Sequence, residues 1–431
     1  MVIAKKMMIA VSALTLCACG GGSSSSNSNA SGSTNPPPPT NKCSQAISEG
    51  ASLGITDIPA SAAAEHRNNF CKYTKLVAPN GKAIHFFAQD QITNEQMVRA
   101  RNILEFYLTN VPGSQYGADK TAVWNKMADN NAILIMPNGS DTGSAPASGQ
   151  TLFQTENVVE GSDAYLVNEP RDAAFEEILH LMHDTGIGVD GSNTMPGVLP
   201  EFQQEIRNAT NNAVPSSIVA GGKGIWASID LNWLSELQGE NSLTQEYLAS
   251  IIDTYYGLAG RSSSGGSNDL YQPQTRAEIS TIDPMGWALV GGDSPRKFFS
   301  EYVTYNARVD KNYTGTFTLN FDANQKYTHK SQYLINVTLT GSSPITLIGN
   351  NQANDLTGNV ADNEIIGNQG NDTINGGDGT DTATFTGNAV DYTITNNNGV
   401  VTVVDSVAGR DGTDTLTSIE LLKFADTSFS P

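Results

Sequence analysis

Two hydrophobic periodicities divide the chain. From about residue 43 to residue 295, apolar positions recur mostly at helical spacing, interrupted by short apolar runs typical of strands. Past Pro295, apolar and polar residues alternate, which is the pattern of half-buried strands. The pattern therefore predicts an α+β fold, with a mixed domain over residues 43–295 followed by an all-β region.

Turn and capping signals bound the elements of the mixed domain. The predicted elements are a hairpin joining residues 75–77 to 83–88 through Pro79-Asn80-Gly81, a helix after a Thr93–Gln96 capping box, a buried strand over 133–136, a helix from Pro170 to Gly186, and a helix from a Ser242–Gln245 capping box to Gly257. Beyond Pro295, strands are predicted around Phe317, Leu319 and Phe321 and around Ile335, Val337 and Leu339.

A nine-residue repeat follows these strands. Its units begin at Gly349, Gly358, Gly367 and Gly376, and apolar residues recur with the same period at Leu347, Leu356, Ile365, Ile374 and Ala383. The third and fourth units come close to the pattern GGxGxDxUx, where U is apolar. This repeat resembles that of the RTX haemolysins and serralysin-type proteases, and the resemblance implies a short parallel β-roll that binds Ca²⁺.

The chemistry of such a roll explains the spacing. Glycine permits the positive-φ turn, and carboxylate and carbonyl oxygens are the ligands that Ca²⁺ prefers. The resemblance implies calcium-binding residues in the third and fourth units: Gly367, Asn368, Gly370, Asp372, Gly376, Gly377, Gly379 and Asp381. The first two units carry Asn354 and Asn363 where Asp is expected, so we expect only one or two good sites. The alternative is a metal-free loop rich in Asn and Gly.

The β region divides into three predicted parts: a connector over 296–344, the repeat over 345–384 and a strand-rich cap over 385–431. The stretch from Asp411 to Asp426 resembles the tail modules that follow RTX repeats. From Ile345 onward the chain has twelve acidic and two basic residues. Because these charges repel one another, we expect Ca²⁺ to promote folding of the module outside the cell.

A second candidate site lies on the helix before Gly186. At 100° per residue, Phe175, Ile178, Leu179 and Met182 share an apolar face, whereas Glu176, His180 and His183 lie together on the other side. A solvated amphipathic face would account for the carboxylates. It accounts less well for two of the chain's five histidines one turn apart.

Residues 176–180, Glu-Glu-Ile-Leu-His, resemble the HExxH helix of zincins with the first histidine replaced by glutamate. The resemblance implies that Glu176 and His180 bind Zn²⁺ and that Glu177 is the general base, with His183 as an alternative ligand. The segment from Glu246 to Tyr256 resembles the later helix of gluzincins of the anthrax-lethal-factor type, which makes Glu246 the third ligand. Glu236 and Glu240 are the other candidates.

The N-terminus predicts export. Lys5 and Lys6 precede an apolar run from Met7 to Leu16, which is the length of a signal-peptide core and too short to span a bilayer. The following residues resemble a lipobox with lipidation at Cys19, Cys17 being the weaker choice and an ordinary secretory signal the alternative. Residues 1–19 are then the signal peptide, and 20–42 form a Gly/Ser/Pro-rich tether. We expect an outer-membrane lipoprotein that faces the periplasm or the cell surface, with membrane lipid as its partner.

The net charge narrows the classes of partner, and the cysteine content predicts a disulfide. The net charge is −20, which argues against nucleic acid as a partner and suits divalent cations. Cys43 and Cys71 are the remaining cysteines, and a disulfide between them is expected in an oxidising compartment.

Two hypotheses for function follow. The first is a surface-tethered zinc endopeptidase that acts on a protein substrate and is stabilised by a calcium roll. The second is a non-enzymatic calcium-dependent adhesin or matrix protein with a degenerate peptidase domain and a surface ligand; a general envelope scaffold is a weaker third.

Overall fold

The fold is α+β, with a β-rich C-terminal region, in a computed structural model that describes residues 43–168, 171–189, 197–258 and 270–431. The helices are α1 Ser44–Gly50, α2 Ala64–Asn69, α3 Asn94–Leu108, α4 Thr121–Asp129, α5 Asp163–Val167, α6 Ala174–Met182, α7 Pro200–Ala213, α8 Leu231–Glu240, α9 Leu243–Tyr255, α10 Arg276–Ile282, α11 Pro284–Val290 and α12 Thr328–Ser331. None of the helices in these ranges is both long enough and apolar enough to cross a membrane.

The mixed part contains four strands: β1 Lys72–Val77, β2 Ala83–Ala88, β3 Ile133–Met136 and β4 Gln150–Thr151. They form one sheet in the order β1-β2-β3-β4, in which only the β1–β2 hairpin is antiparallel. The expected hairpin and the buried strand β3 are confirmed. Helix α3 packs on this sheet, and α6 packs against both α3 and α9.

The β-rich part contains thirteen strands: β5 Val303–Val309, β6 Gly315–Thr318, β7 Leu334–Leu339, β8 Ile345–Ile348, β9 Asp355–Thr357, β10 Glu364–Ile366, β11 Thr373–Asn375, β12 Thr382–Thr384, β13 Tyr392–Asn397, β14 Val400–Asp405, β15 Thr413–Thr417, β16 Leu421–Lys423 and β17 Ser428–Phe429. Their orders are β17-β16-β12-β10-β8-β6 and β13-β14-β15-β11-β9-β7-β5. Successive repeat strands alternate between the two sheets, so the chain winds as a parallel β-roll.

The nine-residue spacing explains this winding. Each unit supplies one turn and one short strand, and its apolar eighth residue points between the sheets. Leu347, Ile365 and Ala383 pair in one sheet, and Leu356 and Ile374 pair in the other. All five side chains are at most 1% exposed. Burial of this apolar column stabilises the stacked coils.

The hydrophobic core is continuous between the two parts. One cluster of buried side chains extends from Ile55 in the mixed part to Phe424 near the C-terminus. Strand β5 packs directly on helix α3. The roll therefore packs directly against the mixed part, and the two parts share one hydrophobic core.

Several expectations about element ends need correction. The capping box at Ser242 does not form, because the Gln245 amide donates to Asp184 instead. The strand predicted through Phe321 ends at Thr318, and Phe321 is 52% exposed. The histidine helix was predicted from Pro170, but residues 171–173 are not helical and the helix begins at Ala174. It continues past Met182 as a π-helical turn, His183–Ile187.

Two further expectations are confirmed, and others lie outside the described residues. The Thr93–Gln96 capping box is confirmed, with Gln96 N donating to Thr93 Oγ1 at 3.1 Å. Cys43 and Cys71 form the expected disulfide. The signal peptide, lipidated Cys19, the tether over 20–42 and Pro170 lie outside the described residues.

Candidate metal centre

Helix α6 presents its polar face towards the first turn of α9. Its apolar side is buried by Phe175, Ile178, Leu179 and Met182, as the sequence predicts. Both faces of α9 are largely covered, so Glu246 is held near α6 instead of pointing into open solvent. The side chain of Glu246 is only 22% exposed.

Three of the predicted zinc-binding residues converge. Glu176, His180 and Glu246 each offer one ligand atom, and these atoms lie within 4.8 Å of one another. His180 Nε2 is 3.7 Å from Glu246 Oε1. Among the described residues this is the only group of three or more His, Cys, Asp or Glu side chains with that geometry. A carboxylate–imidazole–carboxylate set of this size fits a Zn²⁺ ion.

His180 has the properties of an available ligand. Its Nε2 is buried and has no hydrogen-bond partner within the described part of the chain. Burial lowers the pKa of the ring below its ordinary value, although Glu176 opposes that shift. The neutral form, which carries the lone pair that binds a metal, is therefore favoured. An unpaired buried nitrogen costs free energy, and a bound metal would offset that cost.

Glu177 lies beside the cluster with the properties of a proton acceptor. Its Oε2 accepts a hydrogen bond from Gln150 Nε2 on β4 at 2.6 Å and lies 3.9 Å from His180 Nδ1. Burial, reinforced by the charges of Glu176 and Glu156, raises the pKa of Glu177 well above its usual range. Gln150 fixes the orientation of this carboxyl, and the sequence pattern gave no signal for it.

Arg171 is the main addition that the structure makes to the predicted site. Its guanidinium lies 2.7 Å from Glu176 Oε2 and also pairs with Asp253 on α9. Burial alone would raise the pKa of Glu176, but Arg171 and His180 outweigh it and bring that pKa below its usual value. Burial, with the nearby charge of Glu176, raises the pKa of Glu246 well above normal.

The other candidate ligands are not part of the cluster. His183 is fully buried, and its Nε2 donates to Gln203 Oε1 on α7 at 2.5 Å. This ring therefore contacts α7 and is not one of the three converging ligands. Glu236 and Glu240 are exposed on α8, outside the three-residue group.

The turns of the roll hold a second set of candidate ligands. Asp372 and Asp381 are 1% and 0% exposed, and the Oδ2 atom of each has no hydrogen-bond partner among the described residues. The Oδ1 atoms accept from Asn354 N and Asn363 N, at 2.8 and 2.7 Å. Burial raises the pKa of Asp372 to about 7 and also raises that of Asp381.

The glycines predicted beside these carboxylates are required by the geometry. A Cβ atom built on Gly367 would lie 2.2 Å from Asp372 Oδ2, and one on Gly376 would lie 2.6 Å from Asp381 Oδ2. Gly370 and Gly379 adopt φ angles of +138° and +130°. These turns therefore bring buried carboxylate oxygens close to the backbone, as a calcium site needs.

No protein-family model matches the chain, and no curated protein matches it.

Proposed function

We propose that this chain is a calcium-stabilised envelope lipoprotein whose mixed domain is a zinc-dependent endopeptidase of zincin-like type. The observation that carries the proposal is the convergence of Glu176, His180 and Glu246 within 4.8 Å around an unpartnered imidazole nitrogen. The partners are a protein substrate and, through Cys19, membrane lipid; the negative net charge argues against nucleic acid.

Each residue of the centre has a role in peptide hydrolysis. Glu176, His180 and Glu246 would hold Zn²⁺, which supplies Lewis-acid activation of water and of the scissile carbonyl. Glu177 takes the proton from the attacking water and returns it to the leaving amine. Gln150 keeps the Glu177 carboxyl in place through its 2.6 Å hydrogen bond.

Arg171 offsets part of the negative charge that a glutamate at position 176 adds to the ligand set. Two carboxylate ligands and one histidine make a more anionic set than the pattern with two histidines, which weakens a Lewis acid. The guanidinium 2.7 Å from Glu176 offsets part of that extra charge.

The calcium part of the proposal is supported by the roll. Asp372 and Asp381 each keep a buried carboxylate oxygen without a partner, and backbone carbonyls crowd the same turns. A hard divalent cation is the ligand that satisfies such oxygens. The resemblance to RTX repeats points to the same ion.

Metal analysis and one isosteric substitution test the peptidase proposal. Protein dialysed against calcium-containing buffer should retain about one zinc per chain, and His180→Ala should lose it. Glu177→Gln should keep the zinc but lose at least a hundredfold in cleavage of a casein substrate, because only the base is removed. The matched control is Glu236→Gln on exposed α8, which should change neither quantity.

Absence of stoichiometric zinc, or undiminished cleavage by Glu177→Gln, would contradict the proposal. Absence of zinc together with absence of cleavage by the wild-type chain would favour the second candidate, a non-enzymatic calcium-dependent adhesin or matrix protein. The buried Oδ2 atoms of Asp372 and Asp381 support this candidate, because they call for a cation whether or not the mixed domain binds zinc.

The anchor is tested separately. Incorporation of labelled fatty acid in a Gram-negative host should be abolished by Cys19→Ser and retained by Cys17→Ser. Equal labelling of both variants would overturn the assignment of Cys19.

A further inference from the structure

The segment Gly409–Thr417 reads as a further unit of the nine-residue repeat. Its sequence is Gly-Arg-Asp-Gly-Thr-Asp-Thr-Leu-Thr. Gly409, Gly412, Asp414 and Leu416 stand at the first, fourth, sixth and eighth positions. The third unit has Gly367, Gly370, Asp372 and Ile374 at those positions. Its sixth residue follows Asp372 by 42 positions instead of 18, so the period alone does not reveal it.

The roll places this segment as its next coil. Leu416 pairs with Ile374 in the parallel register by which Ile374 pairs with Leu356. Leu416 is fully buried. The strand β16 then continues the opposite sheet beside β12, so the chain completes another coil of the roll before its end.

The hydrogen bond between Asp414 and Asp372 repeats the hydrogen bond between Asp372 and Asn354. Asn354 N donates to Asp372 Oδ1 at 2.8 Å, and Asp372 N donates to Asp414 Oδ1 at 2.9 Å. The backbone repeats the step as well, since Thr373 N donates to Asn354 O and Thr415 N donates to Asp372 O, both at 2.8 Å. The two turns are therefore stacked in the same way.

The glycine at the fourth position is constrained in the same manner in both turns. Gly412 has a φ of +88°, and a Cβ on it would lie 1.8 Å from Gly370 O. Gly370 has a φ of +138°, and a Cβ on it would lie 2.6 Å from Gln352 O. Backbone oxygens of one turn thus approach the glycine of the next throughout the stack.

Residues 385–408, which lie between the fourth unit and this segment, do not form a coil of the roll. Strands β13 and β14 form an antiparallel hairpin at the end of one sheet. Arg410, at the second position of the turn, is paired with Asp405 at 2.6 Å and with Asp391 at 3.0 Å. Its guanidinium therefore neutralises the hairpin and not the stacked carboxylates.

The stacked carboxylates call for a cation. Asp372 is 1% exposed, its Oδ2 has no hydrogen-bond partner in the described ranges, and Asp414 is 2% exposed. Neither residue forms an ion pair with a described basic side chain. Two buried carboxylates joined through one backbone amide are costly unless a cation binds them.

We propose that Gly409–Thr417 is a displaced repeat unit and that Asp414, together with Asp372, binds a Ca²⁺ ion between their two turns. The inference rests on the proposed calcium-binding function and extends it to a residue outside the contiguous repeat. Its consequence is that calcium ties the C-terminal segment from residue 385 onward to the roll, across the intervening hairpin.

Calcium titration of the full chain tests the proposal. Asp414→Asn should lower the stoichiometry by one ion, or weaken one site at least tenfold, and should leave the site that uses Asp381 intact. Asparagine is compatible with this position, because Asn354 and Asn363 occupy it in the first two units. The matched control is Asp355→Asn, which removes an exposed carboxylate from strand β9 and should lose no ion.

The pattern of losses distinguishes failure of the displaced unit from failure of the calcium function. If Asp372→Asn and Asp381→Asn each lose calcium but Asp414→Asn does not, the displaced unit is wrong and the calcium roll stands. If none of the three loses calcium, the calcium function itself fails.

Hydrogen exchange of the wild-type chain gives an answer even if Asp414→Asn misfolds. The amides of residues 413–417 should become at least tenfold better protected when Ca²⁺ is added. Protection that is equal with and without Ca²⁺ would overturn the proposal.

Discussion

The buried side chain of Arg99 connects several elements of this protein. It is 4% exposed and bonds to Glu160 at 2.9 Å and to Asp172 at 2.6 Å. Tyr305 of strand β5 donates to the same Glu160 at 2.6 Å. Asp172 directly precedes the segment that begins α6. One buried cation therefore connects strand β5, helix α3 and the start of helix α6, which carries the candidate metal ligands.

Arg99→Met should lower the free energy of unfolding by about 3–5 kcal/mol, because it leaves two buried carboxylates without their cation. Urea denaturation with saturating calcium measures the loss. The control is Arg308→Met, which breaks a half-exposed ion pair with Glu95 and should cost only about 0–1 kcal/mol. Equal losses in the two variants would contradict the role given to Arg99.

Lys120 gives a pH-dependent prediction. It is fully buried, with Nζ donating to Tyr107 O at 2.8 Å, and burial lowers its pKa to about 7. The unfolded chain keeps this proton up to about pH 10.5, so between these values unfolding takes up a proton and stability rises with pH. The rise amounts to at most about 1.4 kcal/mol per pH unit.

Lys120→Met should remove that rise, so its stability advantage over the wild type should be greatest near pH 7 and shrink towards pH 9. Urea denaturation at pH 7, 8 and 9 measures it. Lys82→Met, at an exposed position, controls for the loss of any lysine charge. A constant difference between Lys120→Met and the wild type would show that Lys120 stays charged in the fold.

At the scale of elements, two similar capping sequences behave differently. Thr93 and Gln96 form a reciprocal box at the start of α3, whereas Ser242 and Gln245 do not form one at α9. Gln245 is drawn to Asp184 at 2.8 Å, and Ser242 Oγ turns back to Leu237 O. A tertiary contact has therefore overridden a local signal.

Thr93→Ala should cost about 1 kcal/mol of stability, because a helix N–H loses its acceptor. Ser242→Ala should cost only a few tenths of that, since its hydroxyl caps no helix amide. Thermal or urea denaturation of the pair measures the contrast. A larger loss at Ser242 would mean that its box forms in solution.

At the scale of the whole molecule, the roll combines a continuous core with buried acidic turns. Burial raises the pKa of Asp372 to about 7 and that of Asp414 to about 8, against an ordinary value of 3.8. A carboxyl with a raised folded pKa favours the fold only while it is protonated. Without calcium, that contribution is present below about pH 4 and is lost as the pH rises through 7 and 8.

Chelation of calcium should therefore lower the unfolding temperature much more at pH 8 than at pH 5. Differential scanning calorimetry with and without chelator measures both differences. Magnesium at equal ionic strength is the control, since it prefers stricter octahedral geometry and should restore less stability. Equal effects of chelation at the two pH values would contradict the assignment of these carboxylates.

Much of the local structure could be predicted from the sequence. The hairpin around Asn80-Gly81, the strand over 133–136, the box at Thr93 and the coils of the repeat depend on residues close together in the chain. The apolar face of α6 was readable for the same reason. Periodicity and turn chemistry act over a few residues, so a single sequence carries their signal.

The residues of the candidate site could be predicted only in part from the sequence. Glu176, Glu177 and His180 were found because they share one helix. Glu246 was one of three candidates for the third ligand, and Arg171, Asp253 and Gln150 had no recognisable motif. His183 lies on the same helix but bonds to Gln203 on α7, a tertiary contact for which the sequence has no signal.

The sequence by itself determined the α+β character, the nine-residue coil and the residue types available for metal binding. Only the tertiary structure decided that Glu246 faces His180, that His183 turns to Gln203, and that Asp414 stacks on Asp372. The physical reason is distance along the chain. Packing of α6 against α9 and the insertion of a hairpin bring together residues whose separation follows no period, and only the folded core fixes which of them meet.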